Sequence, residues 1–274
     1  MATPYRIGKY EVTNAQYAEF LNKVAATDTN ALYNTKMDSD ATVGGITRSG
    51  VSGSYSYSVK PGFASKPVTY VSFWDAARFS NWLQNGQPTG LQTSLTTEDG
   101  AYTLTPAAIA ANSVLRNAGA SVFVPSESEW YKAAYYDPIA ALYYEYPTGT
   151  NVPTGCVGPG GDTGNSANCR YFVGALTDVG AYALSKSPNR TFDQGGNVWE
   201  WNEQIKYYGS SRGARGGAWH GGSVGLAAGE SYGDGPPNEY DYLGFRVASI
   251  PEPSTGLLVL TGLGSLALRQ RRRG

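Results

Sequence analysis

An α+β fold with little regular secondary structure is what this 274-residue chain predicts, and three observations carry the prediction. Gly (35) and Tyr (21) are abundant while charged residues make up 16%, a balance that favours turns and short extended pieces over long helices. Three segments show helical periodicity with defensible starts, and all three are short. The stretch from 139 to 187 shows no sustained period at all. With 41% apolar residues the chain is still long enough to bury a substantial core.

Taken in order, Thr13 or Asn14 caps the first helix, whose apolar residues Tyr17, Phe20, Leu21 and Val24 recur at helical spacing. Residues 47–62 alternate Tyr with small residues and read as short strand and loop. Ser72 with Asp75 makes a capping box for the second helix, and Gly86 ends it. Residues 121–125 form a brief strand running into the third helix, which Ser126 and Glu129 open and Pro138 closes. Residues 139–187 are expected to be an ordered, irregular connection organised by a function or a bound ion. Within it, Cys156 and Cys169 flank a loop rich in Gly, Asn and Asp. In an oxidising compartment they would close that loop as a disulfide worth roughly 3 kcal/mol; in the cytosol they would stay thiols.

Charge excludes some functions. Four basic residues (Arg269, Arg271, Arg272, Arg273) and one acid (Glu252) lie after residue 250, which leaves 17 Lys and Arg against 21 Asp and Glu, a net of −4, in residues 1–250. Such a body gives no reason to expect nucleic acid as a partner, since that needs a clustered basic face. The one histidine, His220, rules out a His-rich zinc or iron centre.

The last residues change character. The apolar run from Gly256 to Leu268 would span only about 20 Å as a helix, against roughly 30 Å of bilayer hydrocarbon. Pro251, Glu252 and Pro253, then this run, then Arg271, Arg272 and Arg273 resemble the PEP-CTERM sorting signal of exopolysaccharide-producing Gram-negative bacteria. The resemblance divides the chain into a body, 1–249, and a sorting segment, 250–274, with a short hydrophobic helix. It implies an exosortase-type sorting enzyme as partner, transient anchoring in the inner membrane, and delivery to the cell surface or extracellular matrix. The first residues carry neither the basic start nor the apolar run of the signal peptide that such export needs, so that leader is not present in this chain.

Within the body, the segments at 5–21, 66–83, 123–134, 192–201 (FDQGGNVWEW), 215–219 (RGGAW) and 244–248 (GFRVA) together resemble the formylglycine-generating enzyme, or sulfatase-modifying factor, family. The resemblance implies an irregular fold of the C-type-lectin kind. Asp193 and Glu200 are hard anionic oxygens, and Gly195 and Gly196 let the chain turn so that carbonyls can point inward, a donor set that suits calcium. By resemblance a structural calcium maps onto the Asp193 and Glu200 side chains and the Gly196 and Val198 carbonyls. Asn168 matches a weaker second calcium site, whose aspartate is replaced further along.

Catalytic members of that family bind copper through two cysteines and oxidise a substrate cysteine to formylglycine. The matching positions here are Gly221 and Leu226, so no copper site is expected. Cys156 and Cys169 precede the calcium motif and belong to another loop. Two functions follow. The first is an exported, non-catalytic module that binds a glycan or protein ligand in the exopolysaccharide matrix of a biofilm, through Trp219, His220, Tyr232, Tyr240 and Tyr242. The alternative is a formylglycine-generating oxidase with displaced metal ligands.

Overall fold

The computed structural model describes residues 4–251. Three helices stand where the capping signals place them, at Asn14–Val24, Phe73–Gln84 and Glu127–Tyr135. Each opens with a reciprocal capping box, Thr13 pairing with Gln16, Ser72 with Asp75, and Ser126 with Glu129. The third stops at Tyr135, short of Pro138, because Tyr136–Asp137 turns into a strand against Leu142–Tyr143. Asn189 Nδ2 fastens that end by donating to the carbonyls of Lys132, Ala133 and Tyr136. Two further helices, Lys36–Ser39 and Pro106–Ala110, are a single turn each; the second has Thr105 as its cap and Pro in the first turn.

Helices one and two meet through aromatic rings. Phe79 lies 5.3 Å from Phe20 and 5.4 Å from Phe245, both edge-on, and 6.1 Å from Tyr17. Such pairs are each worth about 1 kcal/mol beyond the area they bury. Against this core lies a four-stranded sheet in the order Tyr232–Asp234, Ser211–Arg215, Trp199–Lys206, Leu243–Gly244. Its last pairing is parallel and the others antiparallel, with a bulge between Arg212 and Ala214. Trp201, fully buried, reaches across from the sheet to donate to the Val71 carbonyl at 3.0 Å.

A three-stranded sheet joins Arg6–Ile7, Ala248–Ser249 and Val122–Phe123, so the brief strand before the third helix is two residues long. Residues 47–62 contribute a hairpin, Ile46–Ser49 against Ser56–Val59, in which Tyr57 is buried and Ser56 and Ser58 are exposed. That is the period-two pattern the sequence shows.

The irregular connection is tied together by side chains bonding to backbone. Cys156 and Cys169 form a disulfide, and Gly155–Cys156 runs parallel to Ser166–Ala167 beside it. Asp162 accepts from the amides of Gly164 and Leu184, while Asn165 donates to the carbonyls of Val152 and Pro153. These bonds give the loop its order with only two-residue strands and a single short turn of helix. Of the sorting-signal residues only Pro251 is described; Glu252, Pro253, the apolar run, Arg271, Arg272 and Arg273 lie outside the described residues. Among the described residues no helix is long and apolar enough to cross a membrane.

Candidate ligand-binding surface

The turn after strand Ser211–Arg215 exists because two glycines follow it. Gly216 and Gly217 have φ of +99° and +74°, and a Cβ on Gly217 would lie 2.7 Å from Leu226 Cδ1. The turn delivers Trp219 and His220 to one side of the sheet, where strand Tyr232–Asp234 and residues 240–242 bring more rings. His220 lies 4.9 Å from Tyr242 and 5.5 Å from Trp219. Tyr240 stacks on Tyr242 at 5.1 Å with an interplanar angle of 11°. Tyr232 is 6.5 Å from Tyr242 and 5.5 Å from Trp199. The five residues expected to form a surface therefore do gather.

Their roles are not equal. Trp219 is only 7% exposed and packs on Val43, Leu176, Val198 and Ala218, so it is floor and not contact. Tyr240, at 38%, is the most accessible ring of the set. Two rings escape the sequence reading. Tyr171 lies edge-on to Trp219 at 5.2 Å and 5.7 Å from His220. Tyr70 packs on the same cluster, donates its hydroxyl to Asp40, and ties its amide to the Tyr240 carbonyl. The signal for Tyr171 was its place two residues beyond Cys169. The disulfide anchors the start of that turn, and the Arg170 and Tyr171 amides bond to the carbonyls of Gly221 and Trp219. His220 Nδ1 is buried without a hydrogen-bond partner among the described residues. Burial raises the carboxyl pKa of the neighbouring Asp241, and His220 opposes that rise.

Beneath the surface lies a buried charge cluster. Glu200 and Arg246 are fully inaccessible and paired in a fork, with Arg246 Nη2 2.6 Å from Glu200 Oε1 and Nε bonding Oε2. Trp130 Nε1 also donates to Glu200 Oε2, at 2.7 Å. Asp193 accepts from the Gly180 amide, and burial pushes its carboxyl up to about 6. Burial, then the nearby Asp193, raises the Glu11 carboxyl well above the usual range.

A model of the sulfatase-modifying factor enzyme 1-like domain matches residues 1–250. The chain belongs to that family. Three solved structures share the fold of this sulfatase-modifying factor-like chain. CarF matches with a TM-score of 0.54 at 20% identity, over 91% of this chain and 87% of CarF. Variable protein 1 of Treponema denticola matches with 0.52 at 20%, over 90% and 84%. PvdO from Pseudomonas aeruginosa matches with 0.52 at 16%, over 92% and 82%. No curated protein matches.

Gly221 and Leu226, the positions that the resemblance matches to the family's copper cysteines, differ in character. Gly221 is part-exposed, whereas Leu226 is fully buried and packs with Tyr146, Ala167, Ala227 and the disulfide. Both cysteines are joined to each other, leaving no free thiol. Although they belong to a different loop in sequence, the fold sets them against Leu226, a neighbourhood their spacing did not reveal.

The family calcium set fares differently. Asp193, Gly196 and Val198 lie in one buried turn that leads into Glu200 on the strand, whose carboxylate accepts from Arg246 and Trp130. Arg246 thus supplies a cation beside Glu200 and competes with a calcium ion for that carboxylate. Asn168 is buried, its Nδ2 donating to Ala175 and Asn197, while its Oδ1 has no partner among the described residues. No group of three His, Cys, Asp or Glu side chains is placed to hold a metal among the described residues.

Proposed function

We propose that the body is a binding module of the sulfatase-modifying factor fold, taking a glycan or protein ligand on the rings of His220, Tyr232, Tyr240, Tyr242 and Tyr171. The observation that carries this reading is Leu226. A fully buried leucine fills the position where a thiolate would be needed, and both cysteines of the chain are consumed in a disulfide. Rings presented on a rigid, glycine-turned floor suit sugar faces or apolar side chains, with tyrosine hydroxyls supplying direction.

Two measurements decide between this and cysteine oxidation. The full chain is incubated with copper, O₂ and a peptide containing Cys-x-Pro-x-Arg, and the peptide is weighed by mass spectrometry. No change at the cysteine is expected; conversion to the aldehyde would overturn the reading. A glycan and peptide array then tests for binding that Tyr240→Ala weakens by about tenfold, or roughly 1.4 kcal/mol. We propose in addition that residues 250–274 act as an export signal read by an exosortase-type enzyme at the inner membrane. Export from a host carrying such an enzyme, and retention in a host lacking it, is the expected outcome.

A further inference from the structure

Away from the rings, a hollow of about 710 Å³ opens between strand Arg6–Ile7, the end of helix Glu127–Tyr135 and residues 189–191. Arg6, Lys9, Lys132 and Arg190 all line it, and no Asp or Glu does. None of the four has a carboxylate within 4.0 Å among the described residues. In a body whose net charge is −4, four unpaired cations gathered in one concavity repel one another and focus a positive field.

The walls are built to hold them. Asn189 bonds three carbonyls at the helix end, fixing the loop that carries Arg190 against Lys132. Lys9 lies over the rings of Phe192 and Tyr10, at 5.1 and 5.2 Å, and its carbonyl accepts from the Phe192 amide. Arg190 itself sits at φ +65°, a left-handed conformation that costs a non-glycine residue about 1 kcal/mol or more.

The hollow has a neighbour. A second one, of about 620 Å³, shares Lys132 and Tyr136 with the first and is flanked by Tyr131, Tyr143, Arg215 and Glu127. There Tyr143 packs 4.9 Å from Tyr136 and 5.4 Å from Tyr131. We propose that this track binds an acidic oligosaccharide, with uronate-type carboxylates on Arg6, Lys9, Lys132 and Arg190, and sugar faces against Tyr136 and Tyr143. Its length calls for a chain and not a single anion. Tyr143 is 51% exposed, so part of that ring stays open to the C–H face of a sugar, while the four cations supply the charge that acidic sugars need. The site shares no residue with the aromatic surface above, so it stands or falls independently of that reading.

The test uses the full chain and an oligogalacturonate of six units, with maltohexaose as the neutral control, read by calorimetry. Saturable binding to the acidic sugar alone is expected, weakening as salt rises from about 50 to about 300 mM. Lys9→Glu combined with Lys132→Glu should reduce affinity by about tenfold or more. Arg190→Gly removes a charge while relieving the backbone, so it should keep or raise the melting midpoint and still weaken binding. Tyr240→Ser should leave the affinity unchanged. The proposal is overturned by no binding at low salt, by equal binding of the neutral sugar, by variants that bind as the parent does, or by loss of binding in Tyr240→Ser. Tighter binding of a single-stranded oligonucleotide or of phosphatidylglycerol vesicles would equally overturn the saccharide assignment.

Discussion

Arg246 holds three parts of the chain with one guanidinium: Glu200 in the sheet, the Gly8 carbonyl after the first strand, and the Phe192 carbonyl before the buried turn. Removing it leaves a carboxylate buried without its countercharge, so Arg246→Leu should cost about 3–5 kcal/mol in urea unfolding. Because that charge is already supplied from within, a chelator should leave the melting midpoint of the parent unchanged; a fall of several degrees would return an ion to this turn. Glu239 sets a second test, through pH. Burial, then the nearby Asp75, pushes its carboxyl up from 4.5 to about 8, and Asn34 donates to it. An acid whose folded pKa is raised supports the fold fully below its unfolded pKa and loses that support as pH climbs through the folded one. Asp75, pushed up to about 6 by burial, acts in the same direction. The melting midpoint should therefore fall between about pH 5 and about pH 8, and less steeply in Glu239→Gln.

At the scale of elements, the caps and turns are where local chemistry decides. All three main helices were legible because Thr13, Ser72 and Ser126 satisfy their own helix starts within three residues. The sheet was not. Trp199–Lys206 pairs with strands on both sides whose registers depend on a bulge and on a parallel partner over forty residues away, which no local pattern encodes. The same holds for the site: its rings could be named from one stretch of sequence, but Tyr70 and Tyr171 join it only through long-range packing. The disulfide is the element that makes Tyr171 dependable. Cys156→Ser with Cys169→Ser should lower stability by roughly 3 kcal/mol. Hydrogen exchange should then rise at the Arg170 and Tyr171 amides, which now bond to Gly221 and Trp219. Gly217→Ala, forced into φ +74° against Leu226, should be destabilising by about 1 kcal/mol or more, read by thermal melting.

Across the whole molecule, the family frame is filled by particular long-range contacts. Leu226 is buried in packing beside the disulfide, and Arg246 pairs with Glu200. The identity of residue 226 is plain in the sequence, but its burial beside the disulfide is not. The Glu200–Arg246 pair was hidden as well, since its members are 46 positions apart. One feature of the fold reaches further than either. Arg6 and Ile7 lie antiparallel against Ser249 and Ala248, so residues 4 and 251 leave the body side by side. The described body, 4–251, thus begins and ends at one place, and its linear order is a convention the packing does not require. A short linker joining 251 to 4, with new ends cut in the exposed turn at 51–54, should yield a circular permutant that melts cooperatively and keeps its ring surface and basic track.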